Sequence, residues 1–116
     1  ALYGLHEALL ILKEIGIENS WKKHMDNHLL LRKGLEDLGI EYLVNEDDRL
    51  PQLNSIYIPD GVDDLESRKK LLNNFNLEIG AGLGALAGKI WRIGLMGQSS
   101  NKKNIDHCLE SISKVI

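Results

Sequence analysis

Ile90-Trp91-Arg92-Ile93-Gly94-Leu95 is a short apolar run with one guanidinium in its middle and glycines on both flanks. Six residues are few for a helix, and the branched and aromatic side chains favour an extended chain, so the run predicts a strand. A second strand is predicted over residues 53–58, where Leu53, Ser55 and Tyr57 alternate with Asn54, Ile56 and Ile58. Pro51 and Pro59 bound it, and proline cannot donate to a central ladder, so both ends are sharp.

Around these strands the pattern turns helical. Leu2, Leu5, Leu9 and Leu12 recur at three- and four-residue steps beside Ala8 and Ile15, which predicts a helix over 1–14, broken at Gly16. A second helix is predicted over 20–38, apolar at Trp21, Met25, Leu31, Leu35 and Leu38, with Ser20 or Asn19 as N-cap and Gly39 as C-cap. Tyr42 and Val44 favour a short strand over 40–44, ending in the polar loop 45–49. After the Asp60-Gly61 turn, Asp63 or Asp64 caps a third helix carrying Leu65, Leu72 and Phe75. Residues 77–79 read as a brief extended piece. Six of the 11 glycines fall between Gly80 and Gly97, which marks connections rather than helix. The last helix follows Ser100 or Asn101 as cap and places Ile105, Cys108, Leu109, Ile112, Val115 and Ile116 on one stripe. The predicted order is α-α-β-β-α-β-β-α. It is too helix-poor between strands for a parallel doubly wound sheet, and it fits an α+β fold: an antiparallel-dominated sheet covered by helices.

The 116 residues suffice for one domain with a real core, at 43% hydrophobic and 27% charged. A net charge of −3 argues against a nucleic-acid footprint, which needs a clustered positive excess. No apolar run approaches the roughly 18 residues of a membrane span, and a single cysteine cannot form an internal disulfide. The expectation is a soluble, cytoplasmic domain with no nucleic-acid or membrane partner. The chain starts and stops inside helical patterns, so it is expected to be a piece of a longer protein.

Few residues suggest chemistry. In a P-loop, the places held here by Leu83 and Ile90 around Gly88-Lys89 would be glycine and Ser or Thr, so that motif is absent. Gly82, Gly84 and Ala87 satisfy G-x-G-x-x-A, but a strand pattern follows instead of the helix whose N-terminus would hold a pyrophosphate. A glycine-rich connection that approaches a ligand or another domain is the better reading. His24 and His28, four apart on one helix, give two of the three or four ligands a metal needs, so a solvated face is expected there and no metal. His6 and His107 stand alone on polar faces, Cys108 lies on an apolar stripe, and Arg68-Lys69-Lys70, Glu36-Asp37 and Asp47-Asp48 read as surface charge. Arg92 differs, because a guanidinium among apolar strand residues needs a partner. An ion pair with a carboxylate of the chain and a fork that holds a substrate carboxylate by two parallel hydrogen bonds are equally compatible with the sequence.

The stretch Gly82-Leu83-Gly84 with Gly88-Lys89-Ile90-Trp91-Arg92-Ile93-Gly94-Leu95-Met96-Gly97 resembles the C-terminal signature of the alanine–glyoxylate and serine–pyruvate (serine–glyoxylate) aminotransferases. Leu2-Tyr3-Gly4-Leu5-His6-Glu7-Ala8-Leu9, Glu18-Asn19-Ser20-Trp21-Lys22-Lys23-His24 and Leu50-Pro51-Gln52-Leu53-Asn54-Ser55-Ile56 are similar to other parts of the same small domain. The likeness spans the whole chain, 1–116. It implies the C-terminal small domain of a class V, fold-type I enzyme dependent on pyridoxal 5′-phosphate (PLP), active as a homodimer on amino-acid and oxo-acid substrates. By the same resemblance Arg92 binds the substrate carboxylate, and Gly82 and Gly84 belong to a loop beside the cleft between the domains. The cofactor is then bound mainly by a large domain outside this chain, with no catalytic residue here: Lys89 does not match the cofactor lysine. Gly80-Ala81 stands where relatives carry a larger residue, and Trp91 is bulkier than the common aliphatic. Both departures bear on substrate preference. Two rival readings are a non-catalytic α+β interaction domain and another class V branch such as a cysteine desulfurase, which lacks this arginine-containing signature.

Overall fold

A computed structural model describes all residues, Ala1–Ile116. Its regular elements are α1 (Leu2–Ile15), α2 (Ile17–Asp37), β1 (Leu53–Tyr57), α3 (Asp64–Phe75), β2 (Gly80–Ala81), β3 (Ile90–Gly94) and α4 (Lys102–Ser113), joined in part by short 3-10 turns. The strands form one antiparallel sheet in the order β1-β3-β2, so the last strand in sequence is the central one. The α+β fold expected from the sequence is therefore the one observed.

Side chains alternate across a strand. Trp91 and Ile93 of β3 and Asn54 and Ile56 of β1 point to one face, and all four are buried. Against them pack Leu31 and Leu35 of α2, Leu71 of α3 and Ile105, Cys108 and Ile112 of α4, which make one continuous core. The predicted stripe of α4 is thus the packing stripe. The Cys108 thiol lies in that core, where burial pushes its pKa up to about 11.

Helix ends follow local chemistry. Asp63 caps α3 by accepting the Glu66 N–H at 2.8 Å, and Asn101 caps α4 by accepting the Asn104 N–H at 2.9 Å. At the end of α2, Gly39 takes φ 78° while its N–H reaches the Glu36 carbonyl and that of Ile40 reaches Leu35. This paired closure requires a left-handed residue, which glycine adopts without strain.

Three expectations fail. The start of α2 lies at Ile17, and neither Ser20 nor Asn19 caps it; Asn19 Nδ2 instead donates to the Ile15 carbonyl at the end of α1. Residues 40–44 make only a single bridge, Tyr42 to Ile56, because the chain turns away at Val44, whose carbonyl accepts from Arg49 Nε at 2.8 Å. Residues 77–79 form no strand; pairing begins one residue later, where Gly80 meets Arg92. The order is consequently α-α-β-α-β-β-α.

Candidate functional site

Arg92 pairs with Ser55 of β1 on one side and Gly80 of β2 on the other. Cross-strand pairs share a face, so these three residues form a row on the sheet face opposite the core. Arg92 is half-buried there. Its Nε–H donates to the Ala81 carbonyl at 2.7 Å, which swings the guanidinium toward β2 and over Gly80. No carboxylate of the chain forms an ion pair with it; the eight ion pairs present all involve other residues. With Nε engaged, the unpaired donors are those of Nη1 and Nη2, which project side by side in the guanidinium plane. That is the geometry a carboxylate accepts bidentately.

The glycine-rich connection builds the wall beside this row. Gly82 is buried, and its N–H donates to the Ile90 carbonyl at 3.1 Å. A β-carbon at Gly82 would lie 2.1 Å from the Leu86 carbonyl oxygen and 2.9 Å from Ile90 Cγ1, so only glycine fits this approach. Gly84 turns the chain at φ 55°. The turn thereby covers Ile90, which shares the Arg92 face yet is buried, and leaves the guanidinium at its edge.

The core side of β3 is fixed by a charge the sequence did not single out. The Trp91 indole N–H donates to Asp64 Oδ1 at 2.9 Å, and the same oxygen accepts from Arg68 Nε at 2.7 Å. The Arg68 hydrogen bond holds the Asp64 carboxyl below the usual carboxylate range, and the indole hydrogen bond adds to it. Arg68, read from sequence as solvated charge, is thus a partner of the strand that carries Arg92. An Asp-x-x-x-Arg spacing in the first turn of a helix was the available signal.

The histidines also depart from expectation. His28 is buried, with Nδ1 2.7 Å from Asn54 Oδ1, which accepts in addition from the Tyr42 hydroxyl at 2.9 Å. His24 lies 2.7 Å through Nδ1 from the Ser20 carbonyl, and its Nε2 accepts the Gly97 N–H at 3.0 Å. Rather than one solvated face, these imidazoles tie α2 to β1 and to the loop after β3. No group of three or more His, Cys, Asp or Glu is arranged to hold a metal ion. His107 donates to the Phe75 carbonyl.

Strand order and helix placement are those of the small domain of the fold-type I aminotransferases. No family model matches the chain. The structure superposes on an alanine–glyoxylate aminotransferase of a Nostoc species with a TM-score of 0.95 and 43% identity, over 97% of this chain and 30% of that one. It superposes on the ureidoglycine–glyoxylate aminotransferase of Bacillus subtilis with a TM-score of 0.94 and 34% identity, over 98% and 30% of the two chains. In sequence it is 37% identical to the alanine–glyoxylate aminotransferase of Callithrix jacchus across its full length, spanning 28% of that protein. Over its full length the chain is similar to a part of the alanine–glyoxylate aminotransferases, and it spans under a third of the length of these relatives.

Proposed function

We propose that the chain is the C-terminal small domain of a PLP-dependent transaminase that moves an amino group from alanine or serine to glyoxylate or pyruvate. Arg92 holds the α-carboxylate of donor and acceptor, and the loop of Gly82 and Gly84 lines the cleft against the large domain. The observation that carries this reading is the Arg92 fork: two free Nη groups, no internal counter-ion, and an Nε locked to a backbone carbonyl.

The residues present do not by themselves fit the cofactor. Its carbonyl needs a lysine and its ring nitrogen an acidic partner, and none of the four main cavities joins a lysine to a carboxylate. In this reading the cofactor, which supplies the electron sink of transamination, is held by the remainder of the enzyme. What this domain contributes is orientation. Fixing the carboxylate in the guanidinium plane restricts rotation about the substrate Cα–carboxyl bond, an effect of proximity and alignment.

The exposed apolar surface of α1 supports the same reading. None of its residues is buried, and Leu2, Leu5 and Leu9 are 82, 57 and 55% exposed. In the parent enzyme this face meets the large domain or the second copy of a homodimer.

Steady-state kinetics of Arg92→Ala in the full-length enzyme test the assignment. Loss of a charge-assisted fork, about 1.5–3 kcal/mol, raises KM for both amino acid and oxo acid, and Arg92→Lys restores little because an ammonium has no planar fork. Cofactor binding and melting temperature stay as they were. An unchanged KM beside a large fall in melting temperature would end the proposal.

A further inference from the structure

Gly80 is a glycine that the backbone does not require. Its φ lies outside the left-handed range, where any residue is tolerated. Packing does not require it either. A β-carbon there would sit 3.4 Å from the Arg92 carbonyl oxygen, 3.5 Å from Arg92 Cβ and 3.5 Å from Arg92 Nη2, all ordinary contact distances. The contrast with Gly82 is direct, since at Gly82 a β-carbon collides with backbone. Glycine inside a strand loses chain entropy and has no side chain to pack, and it marks places where something else approaches closely.

What it leaves empty is defined by the row on which it sits. Gly80 is the cross-strand partner of Arg92, so a side chain at this position would run along the guanidinium on its β2 side. A methyl group would touch Nη2. A longer or branched side chain would occupy the space next to the fork. On the other flank stands Ser55, small and half-buried. The fork is therefore flanked by little bulk on either side, and on the β2 side by none.

We propose that Gly80 is a specificity-determining position. Its missing side chain keeps open the β2 side of the Arg92 fork, and through that opening the site takes 2-oxo and 2-amino acids that carry a substituent beyond hydrogen on Cα. The proposal rests on Arg92 as the carboxylate group, and it adds the size of acid that this group accepts. A side chain at residue 80 narrows the range from the large end, with the acid lacking a substituent least affected.

The test uses the full-length enzyme with Gly80→Ala and Gly80→Val, Arg92→Ala as reference, and glyoxylate, pyruvate and 2-oxobutyrate as acceptors of increasing size. Gly80→Val is expected to raise KM for 2-oxobutyrate relative to glyoxylate by about tenfold or more, the scale on which a pocket discriminates one carbon. Gly80→Ala shifts the same ratio less and in the same direction, with a melting temperature no lower than that of the parent. This milder variant keeps the test open if the valine protein folds poorly. A KM ratio that stays flat across the three acids in the alanine and valine proteins, while Arg92→Ala raises all three values, overturns the role of Gly80 alone. An Arg92→Ala enzyme with unchanged KM removes the carboxylate reading itself, and this proposal with it.

Discussion

On one face of β3, Trp91 and Ile93 are buried against three helices, and the one polar atom among them, the indole nitrogen, is satisfied by Asp64. On the other face, Arg92 stands half-buried between a glycine and a serine with its Nη groups unpaired. The same five-residue strand thus packs its odd residues, Trp91 and Ile93, into the core, while on its other face Ile90 lies under the glycine turn and Arg92 carries the unpaired Nη groups. Separation of this kind lets Arg92 be exchanged at little cost to the fold, because most of the buried side chains of the strand sit on the opposite side.

Substitutions on the two faces should diverge accordingly. Trp91→Ala is expected to cost about 3–5 kcal/mol, the range for removing a large buried aromatic side chain, read from the denaturant midpoint. A loss similar to that of an exposed residue would erase the contrast between the faces. Gly82→Ala comes next. The atom it meets is a backbone carbonyl at 2.1 Å, so the turn must shift, at about 1–3 kcal/mol for overpacking, with weakened protection of the Gly82 amide in hydrogen exchange.

Acid should sharpen the comparison. Because Arg68 and Trp91 hold the folded pKa of Asp64 below its unfolded value, the contribution is present above the unfolded pKa, about 3.9. It is lost as pH falls through the folded value. A melting series from neutral pH into that window should therefore fall more steeply for the parent than for Asp64→Asn. Equal slopes would mean that the core face draws nothing from this carboxylate. Smallest in stability is Arg92→Ala, within about 0.5 kcal/mol as for surface changes away from packing, although it carries the largest expected effect on KM.

Much of this was legible in the chain itself. Both long strands, the stripe of α4 and the caps of α3 and α4, each narrowed to two neighbouring residues, follow from periodicity and short-range hydrogen bonding, which need no knowledge of the remainder of the fold. Residues 40–44 failed because strand character depends on a neighbour to pair with, and Arg49 bends the chain away after one bridge. His28 was misread for a related reason: its acceptor, Asn54, is distant in sequence and adjacent only after folding. Arg92 was visible as an anomaly of composition, and the resemblance chose between its two readings. The place of Gly80 beside Arg92 became visible only with the register of β2 against β3, since nothing local distinguishes a glycine whose φ needs it from one with free space beside it.

The place of β3 at the centre of the sheet also bears on how the chain acquires its structure. β1 and β2 do not pair with each other; β3 is the one strand on which both pair, and the opposite edge of β1 carries only the Tyr42–Ile56 bridge. During synthesis, β1 must therefore wait through the whole of α3 and the glycine turn before Ile90–Gly94 exists to receive it. Until then the edge of β1 that faces β3 lacks its ladder, and an unpaired strand edge is the kind of surface through which nascent chains associate wrongly. Closure of so long a loop is slow compared with helix formation, so the helices should form first and the arginine row last, in the step that completes the sheet.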